Sequence, residues 1–268
     1  MTSQCGAGFQ PAAAFQAACR SGVIVLAALS VAVPSHAQRS SAAAEKAAPP
    51  SEPTPRWPDG HVNLGSTPEK KGYWEVRPGL GGMPRAADVP FQPWAKALYQ
   101  YRQSQKALYP PLVYCKPAAG PSFFNAPGFE ITELPELKSI FILNIAGPHT
   151  WKVIYMDGRP HPPADELRPT FLGHSVGHWE GDTLVIDSVG FNEKQWLAGA
   201  YPTTQQLHLI ERISRPNLRT LTYEATIDDP GAYTKNWSMK WTINEKTASS
   251  WIAGGEMFEY ICEDAGQP

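Results

Sequence analysis

His174, Ser175 and His178 lie in the stretch GHSVGH (173–178), and two chemistries fit their spacing. G-x-S-x-G is the pattern of a nucleophile elbow, in which Ser175 would attack acyl groups. H-x-x-x-H sets His174 and His178 four residues apart, as two zinc ligands stand on one face of a helix. The residues that follow decide against both. An elbow needs a helix after the serine, and here HWEGDTLVID reads as a turn and a second alternating strand. Asp187 and His208 do come in the chain order of a hydrolase triad, but within 33 residues of Ser175 and with no crossover helix. On a strand, four residues span about 13 Å. His174 and His178 then share a face without reaching one ion, so no metal site and no cofactor is expected.

The same hairpin offers acid/base chemistry instead. With Glu180 and Gly181 as a two-residue loop, His174 faces Asp187, Val176 faces Val185 and His178 faces Thr183. A carboxylate opposite an imidazole fixes its tautomer and supports its charged form. A three-residue loop with Gly181 in a bulge would shift this register by one. His174 and Asp187 are therefore the catalytic candidates. Their shared face, with Val176, His178 and Val185, is expected to point into a barrel beside Trp237 and Trp241, which makes His178 and the two tryptophans ligand-binding candidates. His161 (DGRPHPP) and His149 (GPHTW) sit among loop residues, where they would either line the mouth as further ligand-binding candidates or merely face water. The opposing expectation for the histidines is a solvated outer face. Glu211 and His208, in LHLIERI, fall on opposite faces of one strand.

What would position these residues is a run of short segments of period two: 139–145, 151–157, 173–179, 182–189, 206–214, 219–227, 236–243 and 257–263. NWSMKWTI shows the alternation best, with Trp237, Met239, Trp241 and Ile243 on one face. Eight strands without helices between them predict an antiparallel β-barrel over 116–268. Ahead of it, 57–115 carries many Gly and Pro and one predicted helix, PWAKALYQYRQSQKAL, whose Trp94, Ala97, Leu98 and Tyr101 recur at helical spacing.

The first 37 residues read as a secretory signal peptide: Arg20, the apolar run GVIVLAALSVAV, and a small-x-small cleavage site ending at Ala37. The run is too short for the roughly 20 residues that span a bilayer, and no transmembrane segment is expected beyond it. Residues 38–56, rich in Ala, Ser and Pro, read as a flexible linker. Cleavage removes Cys5 and Cys19 and leaves Cys115 and Cys262, an even pair in an oxidising compartment. A bridge between them would close a loop worth roughly 4–5 kcal/mol in the chain-entropy model. Cleavage also takes one of 23 basic residues and none of 25 acidic ones. The resulting acidic balance excludes the basic footprint of a nucleic-acid binder.

The segments WPDGHVNL, PFQPWAKALYQYR, WEGDTLVIDSVGFN, HLIERI, IDDPGAYTKNW and EYICED resemble a widespread group of exported bacterial β-barrel proteins, over residues 57–264. The resemblance implies a lipocalin-like antiparallel barrel with an N-terminal extension. It brings no assigned catalytic residues. In the group a tryptophan stands just after DGxxNL, whereas here GSTPEKKGY separates Leu64 from Trp74. All nine tryptophans lie beyond the leader. The first functional expectation is thus a secreted or periplasmic protein that binds a small apolar or aromatic molecule in the barrel. The alternative is a cofactor-independent lyase, isomerase or hydrolase using His174 and Asp187. A third is a structural protein of the envelope.

Overall fold

The structure, a computed structural model, describes residues 52–67, 73–75, 84–105, 110–117, 120–124, 128–145, 150–197, 200–246 and 257. The expected leader, most of the linker, His149, Cys262 and all of the 257–263 segment but Met257 lie outside the described residues. Nine strands follow in chain order: β1 (Tyr73–Glu75), β2 (Phe129–Leu134), β3 (Ser139–Asn144), β4 (Trp151–Tyr155), β5 (His174–Glu180), β6 (Thr183–Val189), β7 (His208–Asn217), β8 (Thr220–Asp228) and β9 (Trp237–Lys246). Each pairs with the next, and β1 closes on β9.

The mainly β, lipocalin-like barrel expected from the alternating segments is the observed fold. It differs from the expectation in strand number and in one pairing, because β4 and β5 run parallel while the other pairs are antiparallel. Two strands had escaped the periodicity. β1 has only three residues, and it comes from the segment expected to be irregular extension, so the barrel begins before residue 116. It lies between β9 and β2, where it pairs backbone groups that open strand edges would leave unmatched.

Alternation along the strands places one set of side chains inside. On β7 these are Leu209, Glu211, Ile213 and Arg215; on β8, Leu221, Tyr223, Ala225 and Ile227; on β9, Trp237, Met239, Trp241 and Ile243. A 3-10 turn at Gly120–Phe124 adds Phe124, whose ring lies 5.0 Å from Phe129 and 4.5 Å from Tyr223.

The helix α1 spans Pro93–Ser104, shorter than the sequence suggested. It docks mainly by other residues than the expected stripe, of which Trp94 donates its indole N–H to the Gly231 carbonyl at 2.9 Å. Trp94 and Tyr101 are 46% and 63% exposed, while Ala95 is buried and Tyr99 stacks on Phe91 and Tyr201. Arg102 lies 4.2 Å over the Trp196 ring and donates to the Ala200 carbonyl; burial pulls its guanidinium down to about 10. The aromatic set that decides docking is thus the one with partners on the barrel.

Residues 52–56, expected as the end of a free linker, are tied to the barrel. The Leu218 amide donates to the Glu52 carbonyl, Thr54 donates to the Arg215 carbonyl, and Arg56 makes a two-pronged pair with Asp182 at 2.9 and 2.6 Å. Trp74 anchors the segment despite its displaced position, its indole N–H donating to the Leu64 carbonyl at 2.8 Å. Among the described residues no helix is long and apolar enough to cross a membrane.

Candidate functional site

The hairpin β5–β6 turns at Gly181 and Asp182, not at Glu180 and Gly181. Glu180 pairs with Thr183, His174 with Val189, and Val176 with Asp187. Glycine is the residue that takes the left-handed backbone, at φ 58°, and Glu180 stays in the strand. The shift is two residues, so His174, Val176, His178, Val185 and Asp187 still share one face. That face is the outer one. Leu184, Ile186 and Ser188 on β6 are fully buried, and burying this apolar set leaves the histidines and the carboxylate outside, where their polar atoms need not be desolvated. The expected placement beside Trp237 and Trp241 is therefore overturned, since those rings are on the inner face.

The parallel pairing of β4 with β5 decides what joins His174. Parallel neighbours need a crossover that passes over one face of the sheet, and with the inner face carrying the buried core side chains, residues 156–173 pass over the outside. They bring His161 onto the hairpin. Its Nδ1 is hydrogen-bonded to Nδ1 of His174 at 2.8 Å, and its Nε2 to Oδ1 of Asp187 at 3.1 Å. From β7, Nε2 of His208 reaches the same Oδ1 at 2.8 Å. His174 consequently touches Asp187 only through His161. Its ring stacks on Tyr155 at 5.3 Å, and Arg159, held by Asp157, lies over the Tyr155 ring at 4.1 Å. The cluster is half-buried, with side-chain exposures of 21% for His161, 35% for Asp187 and 40% for His208.

Burial, then the neighbouring charges of His161 and Arg159, hold His174 below the usual imidazole range. As pH falls, the unfolded chain takes up this proton before the native one does. Stability is unaffected above the unfolded value of about 6.5 and declines as pH drops from there toward the native value. His61 acts oppositely. Burial alone would lower it, but Glu133 and Asp59 outweigh that and raise it, so its contribution is complete below about 6.5 and fades as pH rises through the native value. We expect His174→Phe to lose less stability than the wild type between about pH 7 and about pH 5, read by urea unfolding at each pH. Parallel curves would exclude the assignment.

The remaining expected site residues fall elsewhere. His178 is exposed and bonded to Glu180, which also accepts from Arg212. Trp237 and Trp241 lie across the sheet from the cluster. Ser175 is 2% exposed on the inner face, its Oγ hydrogen-bonded to that of Ser188, so Asp187 and His208 stand on the opposite side of the sheet and no triad forms. The glycines of GHSVG have other reasons to be there. Gly173 adopts φ 69°, and a Cβ on Gly177 would sit 2.6 Å from Ile154 and 2.7 Å from the Met156 sulfur.

Sequence reasoning missed a second polar group, inside the barrel. Lys152 is ion-paired with Glu211, and the Tyr223 hydroxyl donates to the other Glu211 oxygen at 2.8 Å. Glu211 and Tyr223 are fully buried and Lys152 nearly so. Burial, then the Glu211 charge, pushes the Tyr223 hydroxyl far above the usual range. The alternation carried the signal: Lys152 shares its parity with Ile154, and Glu211 with Leu209 and Ile213.

Beside the outer cluster lies a cleft of about 220 Å³, bounded by Leu167 and Pro169 of the crossover, Val189 and Phe191 after β6, and Leu207 and His208 at the start of β7. Among the described residues no group of three or more His, Cys, Asp or Glu is arranged to hold a metal ion; the cluster's atoms point at one another. Fold and site together define a closed β-barrel with an aromatic-rich, partly polar interior and a histidine–carboxylate cluster on its outer wall. No protein-family model, curated protein or solved structure matches the chain.

Proposed function

We propose that this chain is an exported small-molecule-binding protein of the bacterial barrel group it resembles, and that its ligand is apolar or aromatic and carries a hydrogen-bond acceptor. The observation behind this reading is a pair of orphan donors. The indole N–H groups of Trp237 and Trp241, four residues apart on the inner face of β9, are buried without an acceptor. An indole can only donate, and buried donors in folded proteins are almost always paired. Tyr201 and Tyr233 pack edge-on against Trp237, and Tyr223 packs against Trp241, so an incoming molecule meets aromatic surface as well. The hydroxyls of Tyr233 and Tyr223 are already committed to the Pro202 carbonyl and to Glu211.

Native mass spectrometry of the protein purified from its own host tests this. A retained small molecule is expected on the wild type and is expected to be lost from the Trp237→Phe/Trp241→Phe variant, which keeps aromatic bulk and removes both donors. No adduct, together with ordered water on both indole nitrogens in a crystal structure, would end the reading. Cleavage after Ala37 and a Cys115–Cys262 bridge belong to the same proposal; Cys115 is engaged in a disulfide, and the intact mass before and after reduction reads both features.

An acid/base enzyme is the second reading, favoured by a separate observation. Asp187 accepts from His208 and His161 at once, which would move the chemistry to the outer wall and make His208, not His174, the imidazole next to a cleft.

A further inference from the structure

We infer that the outer cleft is a binding site of its own, distinct from the barrel interior, and that it takes a small aromatic or branched apolar molecule bearing one hydrogen-bond donor, of which a phenol is the simplest case. The inference stands whether or not the interior holds a ligand and whether or not a reaction is catalysed.

Size comes first. A cavity of about 150 Å³ lined by apolar side chains accepts benzene, so a cleft of about 220 Å³ has room for a ring with a substituent or two. The walls set the rest of the chemistry. Leu167, Pro169, Val189, Phe191 and Leu207 supply apolar surface, the exposed Gln205 and Gln206 edge the cleft, and His208 is the titratable side chain among the lining residues.

The hydrogen bond to Asp187 leaves one ring nitrogen of His208 for a ligand. Asp187 is a carboxylate and can only accept, so Nε2 of His208, 2.8 Å from Oδ1, carries a proton. In the neutral ring that leaves Nδ1 with a free lone pair, an acceptor. Asp187 is in turn held by His161, whose other nitrogen is engaged by His174. The four side chains therefore act as one brace that fixes the tautomer and orientation of the single imidazole at the cleft. In this arrangement His161, His174 and Asp187 are positioning residues, and His208 is the group that meets the ligand.

Fluorine NMR with 4-fluorophenol as probe tests the assignment, with 4-fluoroanisole as a control of similar shape that lacks the donor. Saturable binding of the phenol is expected, with the anisole at least about tenfold weaker. His208→Phe should weaken the phenol by about tenfold and leave the anisole unchanged. Leu167→Trp, which fills the cleft, should abolish both. Trp237→Phe/Trp241→Phe should alter neither, which separates this site from the interior one. Both Leu167 and His208 are partly exposed, and thermal unfolding of each variant checks that it folds. Should Leu167→Trp fail to fold, the His208→Phe comparison of phenol with anisole still decides. Absence of saturable phenol binding, equal affinity for phenol and anisole, or indifference of the phenol to His208→Phe would each overturn the proposal.

Discussion

Lys152→Met is expected to lower stability by about 3–5 kcal/mol, the usual consequence of removing one partner of a buried ion pair. Lys152 and Glu211 have side-chain exposures of 5% and 0%, so the carboxylate left behind would keep only the Tyr223 hydroxyl as partner. For a domain of this size the unfolding midpoint should fall by roughly 6–20 °C, measured by calorimetry or circular dichroism. The pair itself need not be a net source of stability, because desolvating two charges offsets much of their attraction. A variant with Lys152→Met, Glu211→Met and Tyr223→Phe together replaces the whole network with apolar atoms of similar volume. It should recover to within about 1–2 kcal/mol of the wild type. A single variant within about 1 kcal/mol of the wild type would mean that water reaches Glu211.

Arg215→Met carries the next largest expected loss, about 3 kcal/mol or more. The guanidinium is 3% exposed as part of its residue and donates to the carbonyls of Asn63 and Gly65, each at 2.6 Å, and to that of Leu218. It also lies 4.8 Å over the Trp74 ring. Methionine fills a similar volume but leaves these buried acceptors unmatched, at about 1–3 kcal/mol for each that water cannot reach. Because two of the acceptors belong to the chain ahead of β1, the loss should also be local. Limited proteolysis of the variant is expected to cut near residues 52–67 under conditions where the wild type is resistant. Uniform sensitivity across the chain, or none, would show that Arg215 does not clamp this segment.

Much of the barrel could be read from alternation. Seven of its strands lie where period-two segments stand in the chain, because a strand with one face toward a core must alternate. The interior of β9 follows from Trp237, Met239, Trp241 and Ile243 alone. Where alternation was interrupted, the reading failed for identifiable reasons. β1 is too short to show a period, and its pairing with β9 is made by residues that are far apart in sequence. Lys152 and Glu211 have the parity of core residues and the chemistry of surface residues. Only their meeting across the barrel resolves the conflict.

The outer cluster shows the same division. That His174 and Asp187 share a face is a property of the hairpin and survives a two-residue change of register, since side chains repeat every second residue. Which face it is depends on the whole strand: Leu184 and Ile186 bury more apolar area than the alternate set, so the polar set turns outward. His161 and His208 could not be joined to Asp187 from local pattern. His161 arrives because a parallel pair forces its connection across the sheet, and His208 because β7 is the neighbour of β6. The chain by itself therefore determined seven of the strands, which residues share a face and the polar residues available for chemistry, all of which depend on nearest neighbours. The tertiary structure decided which of those residues meet, since contacts between distant segments are set by sheet order, crossover path and the competition for burial.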